Sequence, residues 1–200
     1  MSFIIKQWRA ARRMVGLLRS LPGPARMAAI GRLLEPAAAR RRRLADVIAT
    51  DPERLVLVCH GNIMRSAFAV AYLHQGAPDR AARVVGAGTH AQSGRAAQDS
   101  AIRVAPEFGV SLAAHTATPL DAVGLGAGDV IICMDRANEA TIVARYGSLA
   151  GRVFLIGDVA TSDGAPRFIA DPYARGDAAT RVAFQQIVEH APRWLAVIRA

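Results

Sequence analysis

The chain has 200 residues, a formal net charge of +9 and a hydrophobic content of 52%, which allows one domain of ordinary size with a full core plus an extension. Its two cysteines, Cys59 and Cys133, exclude a disulfide-stabilised scaffold and favour a reducing compartment. Its apolar runs fall well short of the ~20 residues of a transmembrane helix, and no secretory signal pattern is present, so we expect a cytoplasmic protein.

The first 50 residues carry the whole net charge, because eleven lysines and arginines stand against Glu35 and Asp46, whereas residues 51–200 are neutral overall. Apolar residues at three-to-four-residue spacing predict an amphipathic helix from Ile4 to Leu21, with basic residues on the opposite side. Two prolines and a glycine interrupt this pattern at 21–24, and a second apolar stretch with arginines follows over 25–34. We therefore predict a basic helical extension, residues 1–50, before a domain formed by residues 51–200.

Three interpretations of this extension stay open. A basic amphipathic helix with Phe3 and Trp8 near its start is typical of an interfacial membrane helix, and each basic residue near an anionic leaflet adds ~1 kcal/mol of attraction. A helix packed on the domain, or a self-associating hairpin, fits the same apolar pattern. Arginine-rich, acid-poor amphipathic segments also resemble organelle targeting peptides. Nucleic-acid binding is disfavoured because aromatic residues are not interleaved with the arginines, including the run from Arg40 to Arg43.

From residue 54 onward, short apolar segments alternate with helical patterns. The predicted strands are Leu55–Val58, Arg83–Gly86, Val130–Met134 and Val153–Ile156. The predicted helices are Arg65–Gln75, Ala96–Phe108, Ala137–Tyr146 and Asp177–Val197. Apolar strands without strict alternation, separated by helices, indicate a parallel sheet covered on both faces. We predict an α/β fold, a single three-layer domain with a four-stranded parallel sheet flanked by helices, in which ligands lie at the carboxyl ends of the strands.

The most informative segment follows the first predicted strand and reads Cys-His-Gly-Asn-Ile-Met-Arg-Ser from Cys59 to Ser66. The thiolate is the reactive form of a cysteine, and helix N-termini and arginines favour it. The amides of this loop and of the next helix can surround a tetrahedral oxyanion, and Arg65 can bind two of its oxygens. Gly61 allows close backbone approach, and Asn62 tolerates a left-handed conformation. The pattern favours phosphoryl transfer to sulfur over the alternative, a buried structural cysteine beside a surface arginine.

A candidate acid lies near the end of the chain, where Asp171-Pro172-Tyr173 follows a loop rich in small residues. Cleavage of a phosphate ester needs a proton for the leaving oxygen, and a carboxylic acid on a loop can supply it and then activate water. Pro172 stiffens the backbone beside the acid, and Tyr173 can stack on an aromatic substrate. On its own, Asp-Pro is more often a turn signal than a catalytic acid.

Together these residues resemble the low molecular weight protein tyrosine phosphatase family, over about residues 54–200. The signature loop of the family matches Cys59, Gly61, Asn62, Ile63, Arg65 and Ser66 in order, and its acid loop matches Asp171 to Tyr173. Two further segments, Ala87-Gly88-Thr89 and Met134-Asp135 with Asn138, also resemble family segments. The resemblance implies that Cys59 is the nucleophile, Arg65 the phosphate clamp and Asp171 the general acid. The residues expected to contact phosphate or substrate are His60, Gly61, Asn62, Ile63, Met64, Ser66 and Tyr173.

Four positions depart from the family pattern. Met64 stands where many members carry a second cysteine, so we expect no protective disulfide with Cys59. Ala67 replaces the usual proline. Gly86 replaces a serine, which removes one expected hydrogen bond below the loop. Ala174 replaces a second aromatic residue of some members, which predicts a thinner substrate wall. None of these changes removes a chemical role.

The remaining histidines and the second cysteine carry weaker signals. His60 is expected to point out of the loop, His90 to line the rim of the pocket and His115 to support the fold. The histidines and cysteines show no metal-ligand spacing, and phosphatase chemistry through a thiolate needs neither a metal nor another cofactor. Cys133 is interpreted as a small apolar residue at a buried strand end.

The resemblance implies a phosphatase that acts on protein phosphotyrosine. Because bacterial relatives often accompany membrane-bound tyrosine autokinases of polysaccharide export, such a kinase is an expected partner, and the extension is expected to meet the inner face of the membrane. Two alternatives remain. A thiol-dependent arsenate reductase shares the fold but needs a relay of cysteines that this chain lacks, and a non-catalytic phosphotyrosine-binding adaptor would not need the candidate acid. Protein arginine phosphatases typically carry threonine at the position of Ile63.

Overall fold

The computed structural model describes residues 15–16, 18–159 and 167–198. Within the extension, residues 15–16 and 18–20 are helical and Leu21 lies in a bend, whereas residues 4–14 and 17 of the helix predicted from Ile4 to Leu21 lie outside the described residues. None of the helices in the described part of the chain is long and apolar enough to cross a membrane.

A four-stranded parallel sheet forms the centre of the molecule. Its strands are β1 (Arg54–Cys59), β2 (Val84–Gly88), β3 (Asp129–Cys133) and β4 (Val153–Leu155). They lie in the order β2-β1-β3-β4, so the chain reverses its direction of winding at β1. Leu55 of β1 pairs with Val84 on one side and Val130 on the other, and both pairings are parallel. This confirms the predicted sheet, and its short apolar strands are buried on both faces, as parallel strands require.

Six α-helices are described from end to end in the part of the chain that the structure covers. They are α1 (Gly23–Leu34), α2 (Ala37–Ala49), α3 (Arg65–Gly76), α4 (Asp99–Val104), α5 (Arg136–Arg145) and α6 (Gly176–Trp194). Helix α1 begins inside the predicted break, and Pro24 is tolerated because the first turn of a helix needs no donor from it.

The predicted helix Ala96–Phe108 is wrong over its first three residues. Ala96 instead pairs with Thr116 in an isolated antiparallel bridge, and helix α4 begins only at Asp99. Its last four residues, Ala105–Phe108, form a 3-10 turn that ends at Gly109, whose left-handed φ of 79° suits a glycine.

The two faces of the sheet carry separate hydrophobic cores. On one face, Phe68 of α3 stacks on Phe184 of α6, with ring centroids 3.8 Å apart, and Phe108 meets the pair edge-on. On the other face, Ile142 and Val143 of α5 cover the strands. Burial of each large apolar side chain contributes about 1.5–3 kcal/mol, so the two cores hold α3, α6 and α5 firmly against the sheet.

Helices α1 and α2 of the extension pack on the domain. Helix α1 lies against α5, and Leu44 and Val47 of α2 are buried in the core that contains α6. Arg43 donates hydrogen bonds from Nη1 to the carbonyl oxygens of Gly151 (2.9 Å) and Val153 (2.8 Å), and its guanidinium lies 4.2 Å from the centroid of Phe154. Helix α2 therefore covers the outer edge of β4, where unpaired strand carbonyls would otherwise face solvent.

Candidate active site

Cys59 lies at the carboxyl end of β1 and is only 3% exposed. Two polar groups lie within hydrogen-bond distance of its sulfur. The backbone amide of Asn62 donates to Sγ at 3.2 Å, and the hydroxyl oxygen of Ser66 lies 3.0 Å from it. Hydrogen bonds from neutral groups at the sulfur can stabilise a sulfur anion.

Asn62 fixes the shape of the loop through its backbone and its side chain. Its φ is 51°, in the left-handed region that the sequence predicted for it. Its Nδ2 donates to Ser66 Oγ at 2.8 Å, and its Oδ1 accepts from the amide of Thr118 at 2.8 Å. Ser66 Oγ also lies 3.2 Å from the carbonyl oxygen of Ala87. These bonds hold the loop on β2 without the serine that Gly86 replaces.

His115 contacts the backbone of the same loop. Its Nε2 lies 2.6 Å from the backbone carbonyl oxygen of Asn62, which makes it a positioning group for the loop, in keeping with its predicted supporting role.

The glycine that packs against the loop most closely is Gly88, at the end of β2, where a larger residue would not fit. A Cβ atom added to Gly88 would lie 2.8 Å from the amide nitrogen of Asn62 and 2.8 Å from the carbonyl carbon of Gly61. A Cβ added to Gly61 would meet only the side chain of Ile63, at an ordinary contact distance of 3.4 Å. Within the protein itself, the close backbone approach that the sequence assigned to Gly61 therefore occurs at Gly88.

Helix α3 begins directly after this loop, with Met64 as its N-cap residue. No side chain caps this end of the helix, so its first N–H groups are available to an anion. Met64 and Ile63 are themselves buried, and the carbonyl oxygen of Ile63 accepts a hydrogen bond from the amide of Gln98 at 2.9 Å. The two side chains serve packing, and their contribution to anion binding is limited to the backbone.

Arg65 is almost completely buried, with 1% of its surface exposed. Its Nη1 donates to Asp135 Oδ2 at 2.7 Å and to the carbonyl oxygen of Ile169 at 2.9 Å, and its Nη2 lies 3.2 Å from Asp171 Oδ1. Its Nε is buried and has no hydrogen-bond partner among the described residues. A buried donor without an acceptor is costly, and an oxyanion in the loop would satisfy it.

The charge of Arg65 is maintained by its neighbours. Burial lowers the pKa of this guanidinium, but the negative charges of Asp135, Cys59 and Asp171 more than offset that effect, so the pKa is raised overall. The arginine therefore stays protonated at every physiological pH and supplies a permanent positive charge beside the sulfur.

Asp135 is the functional residue whose role the sequence did not identify. It is the N-cap of α5, where its Oδ1 accepts from the amide of Asn138 at 2.9 Å while its Oδ2 holds Arg65. The sequence contained a signal for this role, because Asp135 lies two residues after the carboxyl end of β3, and β3 pairs with β1, whose end carries Cys59. An acidic residue at that edge of a parallel sheet faces the ligand site.

The structure brings Asp171 to the loop from far along the chain. Its carboxylate is 31% exposed and contacts both Arg65 and the amide of Tyr173, the latter at 3.4 Å. The segment before it is held in place by the amide of Ile169, which donates to the carbonyl oxygen of Met134 at 2.7 Å. Tyr173 and Phe168 are about half exposed on either side of Asp171, so a second aromatic residue is present near the acid although Ala174 is not one.

Two exposed histidines, His60 and His90, lie side by side near the loop that follows Cys59. His60 and His90 stack with ring centroids 4.4 Å apart, and His90 Nδ1 lies 3.0 Å from the hydroxyl oxygen of Thr89. Burial lowers the pKa of His90, and the nearby His60 and Arg145 lower it further. His60 therefore contacts a second histidine ring, and the lowered pKa leaves His90 mostly neutral at neutral pH.

Cys133 is fully buried and pairs in register with Val58 on the neighbouring strand. Its side chain belongs to the core on the face of α5, whereas Cys59 belongs to the core on the opposite face. Burial, followed by the negative charges of Glu139 and Asp135, raises the pKa of the Cys133 thiol well above its usual value. These properties fit a structural residue and do not fit a second redox cysteine.

Within the described residues, no cluster of three or more histidine, cysteine, aspartate or glutamate side chains is arranged to hold a metal ion.

Comparison with known proteins places this geometry among phosphatases. Residues 54–200 match the model of the low molecular weight phosphotyrosine protein phosphatase family. The probable low molecular weight protein-tyrosine-phosphatase EpsP of Ralstonia nicotianae is 34% identical over 146 residues, which cover 73% of this chain and 96% of the relative.

Two solved structures show the same fold. The tyrosine phosphatase AmsI of Erwinia amylovora superposes with a TM-score of 0.65 at 28% identity, covering 74% of this chain and 95% of AmsI. The tyrosine phosphatase Wzb of Escherichia coli K30, in complex with sulphate, superposes with a TM-score of 0.62 at 27% identity, covering 71% of this chain and 95% of Wzb.

Proposed function

This chain belongs to the low molecular weight protein-tyrosine phosphatase family, and from that premise we propose that it hydrolyses protein phosphotyrosine through a cysteinyl-phosphate intermediate. One observation carries the proposal. The buried Nε of Arg65 has no partner among the described residues, and it belongs to the same loop as a sulfur that accepts hydrogen bonds from neutral donors. A tetrahedral dianion that enters the loop supplies the missing acceptor and places its phosphorus in front of the sulfur.

In the first step, the thiolate of Cys59 attacks phosphorus in line with the leaving oxygen. The S–P bond forms, the P–O bond to tyrosine breaks, and Asp171 donates its proton to the phenolic oxygen. The loop amides and Arg65 stabilise the equatorial oxygens while negative charge spreads over them. Asp171 Oδ1 lies 3.2 Å from Arg65 Nη2. The acid is therefore close enough to the arginine to reach the leaving oxygen of a phosphate that Arg65 binds.

In the second step, water attacks the phosphorus and the S–P bond breaks. The Asp171 carboxylate takes the proton from that water, inorganic phosphate leaves, and the thiolate of Cys59 is restored. The Ser66 hydroxyl, 3.0 Å from Sγ, donates a hydrogen bond to the sulfur as it regains its negative charge.

A direct test measures phosphate release from a phosphotyrosine peptide by the full chain. Cys59→Ser should abolish release, whereas Cys133→Ala, at the other cysteine, should leave kcat/KM within about threefold of the wild-type value. Phosphoarginine peptides and thioredoxin-coupled arsenate reduction are the competing assays. Preferential turnover of either one, or binding of phosphotyrosine without turnover, would contradict the proposal.

The proposed partner is a membrane-bound tyrosine kinase of polysaccharide export, met at the inner face of the membrane. The support is the family resemblance together with the basic residues of the extension, of which Arg41 and Arg42 lie exposed on α2. Co-sedimentation with anionic phosphatidylglycerol vesicles measures the membrane part, with neutral phosphatidylcholine vesicles as control. Replacing Lys6, Arg9, Arg12 and Arg13 by glutamine should reduce binding to the anionic vesicles only. Equal sedimentation of both proteins would contradict membrane docking.

A further inference from the structure

One arginine of the extension, Arg40, is buried against the domain. Arg40 of α2 is 2% exposed, and its Nη1 lies 2.9 Å from Asp158 Oδ2 and 3.3 Å from Glu139 Oε1. Its Nη2 donates to the carbonyl oxygen of Arg32 at 3.2 Å. The side chains of Glu139 and Asp158 are each 1% exposed, so this guanidinium supplies charge compensation to two carboxylates that water does not reach.

The first of these carboxylates belongs to the helix that holds the phosphate clamp. Glu139 lies in the first turn of α5, and its amide donates to the carbonyl oxygen of Asp135 at 3.1 Å. Asp135 is the N-cap residue that holds Arg65 at 2.7 Å. A displacement of the first turn of α5 therefore moves the carboxylate that orients the clamp.

The second carboxylate belongs to the turn that precedes the candidate acid. Asp158 lies in the 3-10 turn Ile156–Val159 after β4, where its Oδ2 also accepts from the amide of Leu155 at 2.8 Å. The amide of Gly157 in the same turn donates to the carbonyl oxygen of Arg167 at 3.3 Å, four residues before Asp171. The turn is thus bonded directly to the segment that carries the acid.

We propose that Arg40 is a positioning residue for catalysis, because it ties the start of α5, which orients Arg65, to the turn that supports the Asp171 segment. The extension is then a working part of the active site of this enzyme in addition to any role in docking. This inference rests on the proposed function of Arg65 and Asp171.

Electrostatics support this arrangement. Burial lowers the pKa of Arg40, while Asp158, Glu139 and Glu35 raise it by more, so the guanidinium remains charged. A buried ion pair that loses one partner leaves an uncompensated charge, and the protein relaxes by moving that charge toward water. Loss of Arg40 would leave Asp158 without this cation, whereas Glu139 would keep Arg136, whose Nη1 lies 2.6 Å from its Oε2. The connection between the start of α5 and the turn after β4 would then be lost, which frees the two segments to move apart.

The comparison with relatives places Arg40 outside the part of the chain that matches the family. The match to EpsP uses 96% of that relative but only 73% of this chain, and the family model begins at residue 54. The helix that carries Arg40 therefore has no counterpart in the family pattern. A chain that began at residue 51 would keep Glu139 and Asp158 but lose the arginine between them.

The test uses Arg40→Met in the full chain, with Arg41→Met on the exposed side of the same helix as the matched control. Turnover is measured on p-nitrophenyl phosphate, whose leaving group needs little protonation, and on phenyl phosphate, whose leaving group depends on the acid. A displaced Asp171 should lower kcat on phenyl phosphate about tenfold more than on p-nitrophenyl phosphate, a fraction of what a general acid contributes. The inhibition constant of vanadate should rise as Arg65 loses its orientation, and Arg40→Lys should restore part of both values.

An equal loss on both substrates with unchanged vanadate inhibition would show a merely structural role and overturn the proposal, as would wild-type values. If Arg40→Met does not fold, the triple variant Arg40→Met/Glu139→Gln/Asp158→Asn removes the buried charges as well. A shift of the substrate ratio in the same direction is expected there, because the ion pairs that connect the start of α5 to the turn after β4 are absent, and a wild-type ratio in that variant would overturn the proposal. Failure of the proposed function itself is distinguishable, because the wild-type chain would then hydrolyse neither aryl phosphate.

Discussion

Gly88 lies directly against the backbone of Asn62, with room for a hydrogen atom but not for a methyl group between them. A Cβ on Gly88 would lie 2.8 Å from the Asn62 amide nitrogen, which is the donor to the sulfur of Cys59. The end of β2 and the loop after Cys59 are therefore packed backbone to backbone, and the position of the proposed nucleophile depends on a residue that has no proposed chemical role.

Gly88→Ala should disable the loop. Because the new methyl group meets backbone atoms, the loop must shift, at a cost of about 1–3 kcal/mol in unfolding free energy. We expect the inhibition constant of inorganic phosphate to rise at least about tenfold, measured by inhibition of p-nitrophenyl phosphate hydrolysis. Gly147→Ala is the control, because a Cβ at that position meets nothing within 4 Å. Unchanged phosphate inhibition in Gly88→Ala would show that the loop tolerates the shift.

Ser66→Ala should slow the second chemical step more than the first. The hydroxyl lies 3.0 Å from the sulfur and would stabilise the thiolate as it leaves phosphorus, whereas attack on the substrate needs no such help. We expect a rapid burst of p-nitrophenol followed by a steady-state kcat reduced about tenfold or more, measured by stopped-flow absorbance. A smaller kcat without a burst would place the effect on the first step instead.

Asp171→Asn should reveal a general acid through the leaving group. Proton donation contributes about 10²–10⁴-fold, and it matters most when the leaving oxygen is basic. We expect kcat to fall about a hundredfold on phenyl phosphate and by much less on p-nitrophenyl phosphate. Asp177→Asn is the matched control, because Asp177 starts α6 and pairs with Arg103 at the surface. Equal losses on both substrates would argue for a role in binding alone.

Glu35 should make the extension sensitive to acid. Burial alone would raise the pKa of this carboxyl, but Arg43 and Arg32 lower it to about 2, from a usual value of 4.5. Because the folded protein binds this proton less readily than the unfolded chain, the stabilisation is complete above about pH 4.5 and is lost as the pH falls toward 2.

Urea unfolding at pH 6 and at pH 3 measures this effect. The loss of stability between these two values should be smaller in Glu35→Gln than in wild type, because the variant has no carboxylate to protonate. Asp46→Asn, at an exposed position of α2, should behave as wild type. Parallel losses in wild type and Glu35→Gln would mean that the pair with Arg43 forms equally in the unfolded chain.

Local patterns were sufficient for most of the fold. The short apolar strands from Leu55 and Val130 and the helices between them follow from residue type and spacing, since a parallel sheet buries both faces. The predicted helix boundaries were wrong where a residue pairs with a distant segment. Ala96, for example, pairs with Thr116 and therefore lies outside α4. The left-handed conformation of Asn62 was predictable because few other residues adopt it at low cost.

The amino-acid order by itself determined where Cys59, the proposed nucleophile, lies, because a cysteine at the end of a buried parallel strand must emerge at the carboxyl edge of the sheet. It also determined that the extension is basic and predicted the helices in its described part. Only the tertiary structure showed that Asp135 binds Arg65 and that Gly88 packs against the backbone of the loop. It also showed that Arg40 lies buried between Glu139 and Asp158. The physical reason is that charge pairing and close backbone contact depend on distances between segments far apart along the chain, which no local periodicity records.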